Sequence, residues 1–180
     1  MVMSRANVAS YNGNMRKDPG RLAELRRQLI LDTPGEKAFD DITQLIAQSL
    51  DVPIAIINFM DVDRNWSKSS VGFTLPELPV DTSFCESFFY TDKDLIVVPD
   101  TLQNEHFSQH PLVTGMPHVR FYASARLVVN GQTIGSLCAF DTRPRHLLPE
   151  QIEHLSALTI AVYQLLQSRT ATGIQTQLAI

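Results

Sequence analysis

The sequence predicts an α+β domain in which helices pack on one face of a central antiparallel β-sheet. Three observations support this class. A chain of 180 residues suits one hydrophobic core. Apolar residues recur at helical spacing near both ends, and several strand-like runs, including a hairpin, lie between them. Strands grouped together and flanked by helices are typical of α+β folds.

Composition and charge exclude several classes of protein. Hydrophobic residues make up 44% and charged residues 19% of the chain, which is a globular composition. The net charge is -4 and the basic residues are scattered, so we expect no nucleic-acid partner. Two cysteines are too few for a disulfide framework, and no apolar run approaches the roughly 20 residues that span a bilayer. We therefore expect a cytoplasmic protein without membrane association.

Residues 1–19 show no period and are expected to form a flexible arm. A first helix is predicted from Gly20, with one apolar and one polar side. The apolar stripe is Leu22, Leu25, Leu29 and Ile30, and the polar side is Arg21, Glu24, Arg26, Arg27 and Gln28.

A second helix is predicted from a start signal at Thr33-Pro34-Gly35-Glu36. A hydroxyl, a proline and a carboxylate at these spacings are typical of a capping box. Pro53 ends the helix. Its predicted buried face is Phe39, Ile42, Leu45, Ile46 and Leu50.

Three strand-like runs follow. Ile54 to Met60 and Trp66 to Val71 predict a strand, a turn and a second strand, and Leu95 to Val98 predicts a short third one. Between them, Ser83 with Glu86 favours the start of a short helix.

The hairpin is the strongest local signal. Arg120 to Val129 and Gln132 to Phe140 flank Asn130-Gly131, a dipeptide suited to a type I′ turn. Alternation divides the first of these strands between two faces. Phe121, Ala123, Ala125 and Leu127 share one face, and Arg120, Tyr122, Ser124 and Arg126 share the other.

The last helix is predicted from Pro149 to Arg169, although Leu148 supplies no capping side chain. Residues 170–180 are expected to be frayed. The long connection from Asp100 to His118 is predicted to be a loop with helical fragments, and loops of this length are often functional.

Four stretches of the sequence carry a family resemblance. They are Leu31-Asp32-Thr33-Pro34; Val52-Pro53-Ile54-Ala55 through Asp61, Asp63, Arg64 and Trp66; Ser83-Phe84-Cys85; and Arg120-Phe121-Tyr122-Ala123 followed by Gly135-Ser136-Leu137-Cys138 and Asp141-Thr142-Arg143-Pro144. In this order they resemble the GAF domain family, in particular the bacterial type found ahead of histidine kinases and cyclic-dinucleotide synthases. The resemblance covers about residues 20–169, which we interpret as a single GAF domain.

The resemblance implies a PAS-related architecture: a central antiparallel sheet, terminal helices on one face and a ligand pocket on the other. The segment Ser83 to His118, called the roof below, would cover the pocket. The expected pocket residues are Trp66, Phe73, Phe84, Cys85, Asp100, Phe107, Arg120, Tyr122, Ser124 and Asp141. No cofactor is expected, and His106 with His110 lacks a third ligand that would favour a metal site.

Cys85 has two interpretations. A thiol in the first turn of a helix has a lowered pKa and favours the reactive thiolate, whereas a free cysteine is more often a small buried hydrophobe. Cys138, in a strand, is interpreted as a core residue. The two could meet as a redox pair, but spacing in sequence gives no distance between them.

The leading functional hypothesis is a sensory or regulatory module. It would bind an unidentified small molecule and signal through a homodimer of its terminal helices, or through a partner such as a histidine kinase. It is not expected to be an enzyme. The alternatives are a free methionine sulfoxide reductase-like enzyme that uses Cys85, and an interaction module without a ligand. Glu86 stands where bilin-binding relatives have histidine after the cysteine, which disfavours a chromophore.

Overall fold

The structure is a computed structural model that describes the backbone of residues 15–178 and the side chains of residues 15–171. Most of the arm expected at residues 1–19 lies outside the described residues. Residues 15–18 do not stand apart from the domain, since Arg16 is buried against the sheet. The last helix continues through Leu178, so residues 170–178 are helical where a frayed tail was expected.

Six strands form one sheet in the order β3-β2-β1-β6-β5-β4. Every pair of neighbours is antiparallel, which confirms the predicted fold class. The strands are β1 (Ile54–Met60), β2 (Arg64–Val71), β3 (Glu77–Pro79), β4 (Leu95–Val98), β5 (Phe121–Val129) and β6 (Gln132–Asp141). The helices are α1 (Pro19–Arg27), α2 (Lys37–Leu50), the single turn α3 (Pro111–Thr114) and α4 (Pro149–Leu178). Three 3-10 turns lie between β3 and α3: Val80–Thr82, Phe84–Phe89 and Thr101–Gln103.

The β5–β6 hairpin turns at Asn130 and Gly131, as predicted. Both residues have positive φ, 49° and 76°, as a type I′ turn requires. β6 also pairs with β1, so the hairpin supplies the centre of the sheet.

Two apolar clusters lie on opposite faces of this sheet. α2 and α4 cover one face, and the predicted alternation places Phe121, Ala123, Ala125 and Leu127 there. The roof covers the other face, where Tyr122 of β5 and Cys138 of β6 are buried. The pleat of each strand thus separates a helix-face core from a roof-face core.

The prediction for the first helix is wrong in two details. α1 ends at Arg27, and Leu29 follows it with positive φ and a side chain that is 67% exposed. The face predicted to be polar is buried in part, since Arg21, Glu24 and Gln28 are each 3% exposed or less. The reason is tertiary: Arg21 reaches the strand ends and donates to the carbonyl oxygens of Met60 and Thr133.

The capping box of α2 is absent, although the helix is present. Glu36 is the N-cap residue but makes no capping side-chain bond. Thr33 instead donates to the carbonyl of Ile30 and accepts from Lys68. Leu45, predicted to be buried, is 47% exposed because α2 turns this position away from the sheet. β2 begins at Arg64, two residues before the predicted start.

Candidate functional site

The candidate site lies between the roof and the central strands. Five side chains on the roof face form its floor, because alternate residues of a strand share a face. They are Asn58 of β1, Tyr122 and Ser124 of β5, and Ser136 and Cys138 of β6, all buried. The 3-10 turn Phe84–Phe89 lies above them and contributes Cys85.

Aromatic rings fill much of the space between roof and floor. Phe84 lies 5.0 Å, centroid to centroid, from both Phe107 and Tyr122. Phe107 and Tyr122 are 5.6 Å apart, and Phe140 stacks on Tyr122 at 5.1 Å. Phe84, Phe107 and Tyr122 are each 4% exposed or less. The side chains expected to line a pocket pack against one another here, so a ligand needs the roof to move outward.

The two cysteines meet beneath the roof. Their sulfur atoms are 3.3 Å apart, and both are free thiols in buried positions. Asn58 Nδ2 donates to Cys85 Sγ at 3.1 Å and to Cys138 Sγ at 3.5 Å. Ser136 Oγ lies 3.2 Å from the first sulfur and 3.1 Å from the second. The structure therefore brings into contact two cysteines whose separation in space could not be predicted from the sequence.

Two further hydroxyl groups complete the shell around the sulfurs. Ser124 Oγ lies 3.1 Å from Cys138 Sγ, and the Tyr122 hydroxyl donates to Cys85 Sγ at 3.7 Å. Hydrogen bonds, chiefly from Cys138, lower the pKa of Cys85 against the opposing effect of burial. Burial and the neighbouring Cys85 raise the pKa of Cys138. The hydrogen bonds therefore favour the thiolate form of Cys85, and burial favours the neutral thiol of Cys138.

A partly buried ion pair connects the roof to the segment before α1. Arg16 pairs with Glu86, the residue after Cys85, and also donates to the carbonyl oxygen of Arg64 at 2.6 Å. The guanidinium groups of Arg16 and Arg21 lie 6.0 and 5.3 Å from the ring centroid of Phe89. Desolvation lowers the pKa of Arg16 and raises that of Glu86 in spite of their mutual attraction. Desolvation of both groups thus offsets much of the attraction between them.

The other five expected pocket residues lie away from this space or have local structural contacts. Trp66 packs in the helix-face core, 6.3 Å from the Phe59 ring. Phe73 is half-buried in the loop after β2. Asp100 caps the turn at Thr101–Gln103 by accepting from the Leu102 amide.

Arg120 and Asp141 make contacts within the loops at the strand ends. Arg120 donates to the carbonyl oxygens of Val113 and Val119, which holds α3 against β5. Asp141 accepts from the Arg143 amide and pairs with the Arg145 side chain. The cluster beneath the roof thus contains Phe84, Cys85, Phe107, Tyr122 and Ser124 from the expected set.

Sequence reasoning gave no site role to Asn58, Ser136 or Arg16, and it placed Cys138 in the core. Asn58 interrupts an apolar strand run, and a lone amide in a buried strand is a signal that it has a partner. Ser136 shares a face with Cys138 two residues later. Arg16 gave no signal, because it lies outside any periodic segment.

Within the part of the chain that the structure describes, no group of three or more histidine, cysteine or acidic side chains is placed to hold a metal ion. No described helix is long and apolar enough to cross a membrane.

A family model described as the GAF domain matches residues 34–166. The chain therefore belongs to the GAF domain family. It is 32% identical over 144 residues to the cyclic di-GMP phosphodiesterase PA2567 of Pseudomonas aeruginosa, covering 77% of this chain and 24% of that protein. The chain thus spans about a quarter of the length of that curated relative.

Solved structures agree on the fold. The GAF domain of Acinetobacter phosphoenolpyruvate-protein phosphotransferase matches with a TM-score of 0.61 at 15% identity, covering 88% of this chain and 96% of that one. The blue-light-absorbing Thermosynechococcus elongatus PixJ GAF domain matches with 0.62 at 17% identity over the same shares. A type II free methionine-R-sulfoxide reductase from Thermoplasma acidophilum matches with 0.56 at 12% identity, covering 74% and 90%. Identities this low show the fold alone.

Proposed function

We propose that this chain is a regulatory GAF domain that binds a small molecule beneath the roof and transmits the event to its terminal helices. The observation that carries the proposal is the Arg16–Glu86 pair, because it fastens the roof to the segment that leads into α1. A ligand that lifts the Phe84–Phe89 turn has to strain or break this pair. The change then reaches α1 through direct contact.

The proposed binding place combines rings with buried polar groups. Phe84, Phe107 and Tyr122 offer apolar surface, and Ser124 and Tyr122 offer hydroxyl groups at the floor. Ligand sites of this kind are mostly apolar with a few polar groups that fix orientation. Since the rings close the space without a ligand, binding shifts the population from a closed roof to an open one.

The relative from Pseudomonas supports a role in signalling. The similarity covers 24% of that phosphodiesterase, so this chain corresponds to a part of it. We propose that the corresponding part is regulatory and that this chain has a similar role toward a signalling partner, a histidine kinase among the candidates.

The exposed face of α4 supports self-association. Ile160 is 59% exposed and Tyr163 is 38% exposed, one turn apart on the helix. They line a groove of about 540 Å³ against Leu127 and Val128 of β5. The apolar residues of α1 point the other way, since Leu22 and Leu25 are buried in their own chain. The proposed homodimer therefore uses α4 rather than α1.

The test is a thermal-shift panel on residues 1–180 with cyclic nucleotides, cyclic di-GMP, amino acids and 2-oxo acids. A ligand at 100 times its Kd raises the unfolding free energy by about 2.7 kcal/mol, roughly 5–10 °C in Tm. Tyr122→Phe should reduce the shift, whereas Tyr90→Phe, at an exposed roof position, should not. A panel without any shift contradicts ligand binding and favours the interaction module.

One alternative has a specific observation in its favour. The 3.3 Å sulfur contact supplies the attacking and resolving thiols that a sulfoxide reductase requires. Consumption of free methionine sulfoxide with a dithiol reductant, abolished by Cys85→Ser, would establish this activity in place of a purely regulatory role. If the wild type shows no turnover above that of Cys85→Ser, the reductase alternative is excluded.

A further inference from the structure

We propose that Cys85 and Cys138 form a reversible intramolecular disulfide on reaction with a hydroperoxide, and that this bond fastens the roof to β6. The inference goes beyond the proposed function because it requires no bound ligand. It makes the roof sensitive to oxidants in addition to small molecules.

The geometry brings the sulfur atoms close to bonding distance. They are 3.3 Å apart, and a disulfide bond is about 2.05 Å long, so the atoms must approach by only about 1.2 Å. Cys138 lies on β6, which is paired on both sides and held in the centre of the sheet. Cys85 lies on the 3-10 turn Phe84–Phe89, whose Ser83 side chain accepts from the Cys85 amide. A short turn adjusts more easily than a central strand, so Cys85 makes the approach.

The polar shell around the sulfurs points to a charged sulfur. Asn58, Ser136 and Tyr122 are buried, and each directs a donor toward Cys85 Sγ. The buried Ser124 hydroxyl lies 3.1 Å from Cys138 Sγ, where either atom can donate. A neutral thiol is a weak acceptor, and donors that lack a good acceptor are costly to bury. A thiolate, or the oxygen of a sulfenic acid, accepts these hydrogen bonds well. The shell is therefore suited to the ionised and oxidised forms of Cys85.

The reaction balances with a hydroperoxide as the oxidant. The Cys85 thiolate attacks one peroxide oxygen, the O–O bond breaks, and the departing alkoxide or hydroxide takes up a proton. This leaves Cys85 as a sulfenic acid. The Cys138 sulfur then attacks the Cys85 sulfur, the S–O bond breaks, and the hydroxide leaves as water with the proton of the Cys138 thiol. With hydrogen peroxide, two thiols lose two electrons and two protons, and two waters form; a dithiol reductant reverses the bond by exchange.

Burial of the two thiols limits the access of peroxide. Cys85 is 3% exposed and Cys138 is 0% exposed. Peroxide therefore reaches the two thiols when the roof opens. The disulfide that forms then holds the turn Phe84–Phe89 against the sheet. The bond would close a loop from Cys85 to Cys138, which constrains the unfolded chain.

The closing experiment treats the reduced chain with hydrogen peroxide and measures intact mass under denaturing conditions. The expected product is about 2 Da lighter than the reduced chain, and dithiothreitol restores the original mass. Peptide mapping should find one disulfide, which joins the peptides that contain Cys85 and Cys138. Cys85→Ser and Cys138→Ser should each abolish the product, and in Cys138→Ser dimedone should label Cys85. Ser108→Ala, in the roof away from the thiols, should behave as the wild type.

Three results would overturn the proposal. They are thiols that stay reduced in the wild type, thiols that pass to sulfinic acid without a link, and a link that joins two chains. The wild-type measurement alone decides this if a variant fails to fold. The Tm of the oxidised chain should exceed that of the reduced chain by roughly 5 °C or more, and an equal Tm contradicts fastening of the roof.

Discussion

Lys68 explains why the capping box predicted at Thr33 and Glu36 does not form. Its side chain is 0% exposed and donates to Thr33, to the Pro34 carbonyl and to Glu36. Glu36 also pairs with Arg169 of α4. The Thr33 and Glu36 side chains that would form a capping box are therefore used to bury a cation.

Replacing Lys68 with methionine is expected to lower the unfolding free energy by about 3 kcal/mol. The cause is loss of a buried cation that satisfies three acceptors. Urea unfolding measures the change. The control is Lys37→Met, whose pair with Asp41 is exposed and should matter by less than about 1 kcal/mol. Equal effects of the two substitutions would contradict this role for Lys68.

Glu36 makes part of the stability dependent on pH. Burial opposes ionisation, but hydrogen bonds from Lys68 and Arg169 hold the pKa of Glu36 below its ordinary value of 4.5. A depressed carboxyl pKa gives stability that is present above the unfolded value and lost as the pH falls through the folded value. Unfolding free energy should therefore fall less between about pH 6 and about pH 3 in Lys68→Met than in the wild type. Parallel curves would contradict the linkage.

Gly72 and Gly131 both have positive φ but differ in surroundings. A Cβ at Gly72 would lie 2.0 Å from the Pro53 carbonyl oxygen, whereas one at Gly131 meets nothing within 4 Å. Gly131→Ala should cost about 1 kcal/mol, the cost of left-handed backbone. Gly72→Ala adds a clash with backbone and should cost at least about 2 kcal/mol more. Chemical denaturation of both variants measures the difference, and equal losses would show that the close approach is unimportant.

At the scale of elements, the proposed function depends on the link between the roof and α1. Glu86→Gln removes the charge that faces Arg16 and keeps the shape. Amide exchange in Phe84–Phe89 and at the start of α1 should become about tenfold faster, which corresponds to about 1.4 kcal/mol of local opening. Glu77→Gln, from an exposed pair with Arg64, is the matched control. Faster exchange in the roof alone would contradict the coupling to α1.

The elements also show which sequence patterns were sufficient. The Asn130-Gly131 hairpin and the division of β5 between two faces were predicted correctly, because both follow from backbone geometry within a few residues. The burial of polar residues on α1 was not predicted. Arg21 is buried because it donates to the carbonyl groups of Met60 and Thr133, which are distant in sequence. Helical periodicity does not predict that a polar side chain is buried when its hydrogen-bond partner lies on another element.

At the scale of the whole molecule, self-association through α4 can be tested directly. If the homodimer uses this face, Ile160→Asp should convert it to a monomer of 20.2 kDa, because a buried carboxylate without a partner is costly. Light scattering after size-exclusion chromatography measures the mass. His154→Asp, at an exposed position about 120° round the same helix from Ile160, should leave the mass unchanged. A monomeric wild type at high concentration would remove the dimer from the proposal.

The candidate site was predicted only in part. Phe84, Cys85, Phe107, Tyr122 and Ser124 were assigned to the space under the roof, and the structure brings them together there. Trp66 was assigned to the same space but lies on the opposite face, because its position in β2 alternates toward the helices. The register of a strand, which pairing decides, determines the face of each residue.

The sequence by itself determined the fold class, the central hairpin and the GAF family, since these depend on local periodicity, turn chemistry and motifs in order along the chain. Tertiary structure alone decided that the roof closes on aromatic rings, that Arg16 connects it to α1 and that two thiols separated by a long stretch of chain stand 3.3 Å apart. Such contacts join residues distant in sequence. Their distances are set by how the whole chain packs, a property that no local pattern carries.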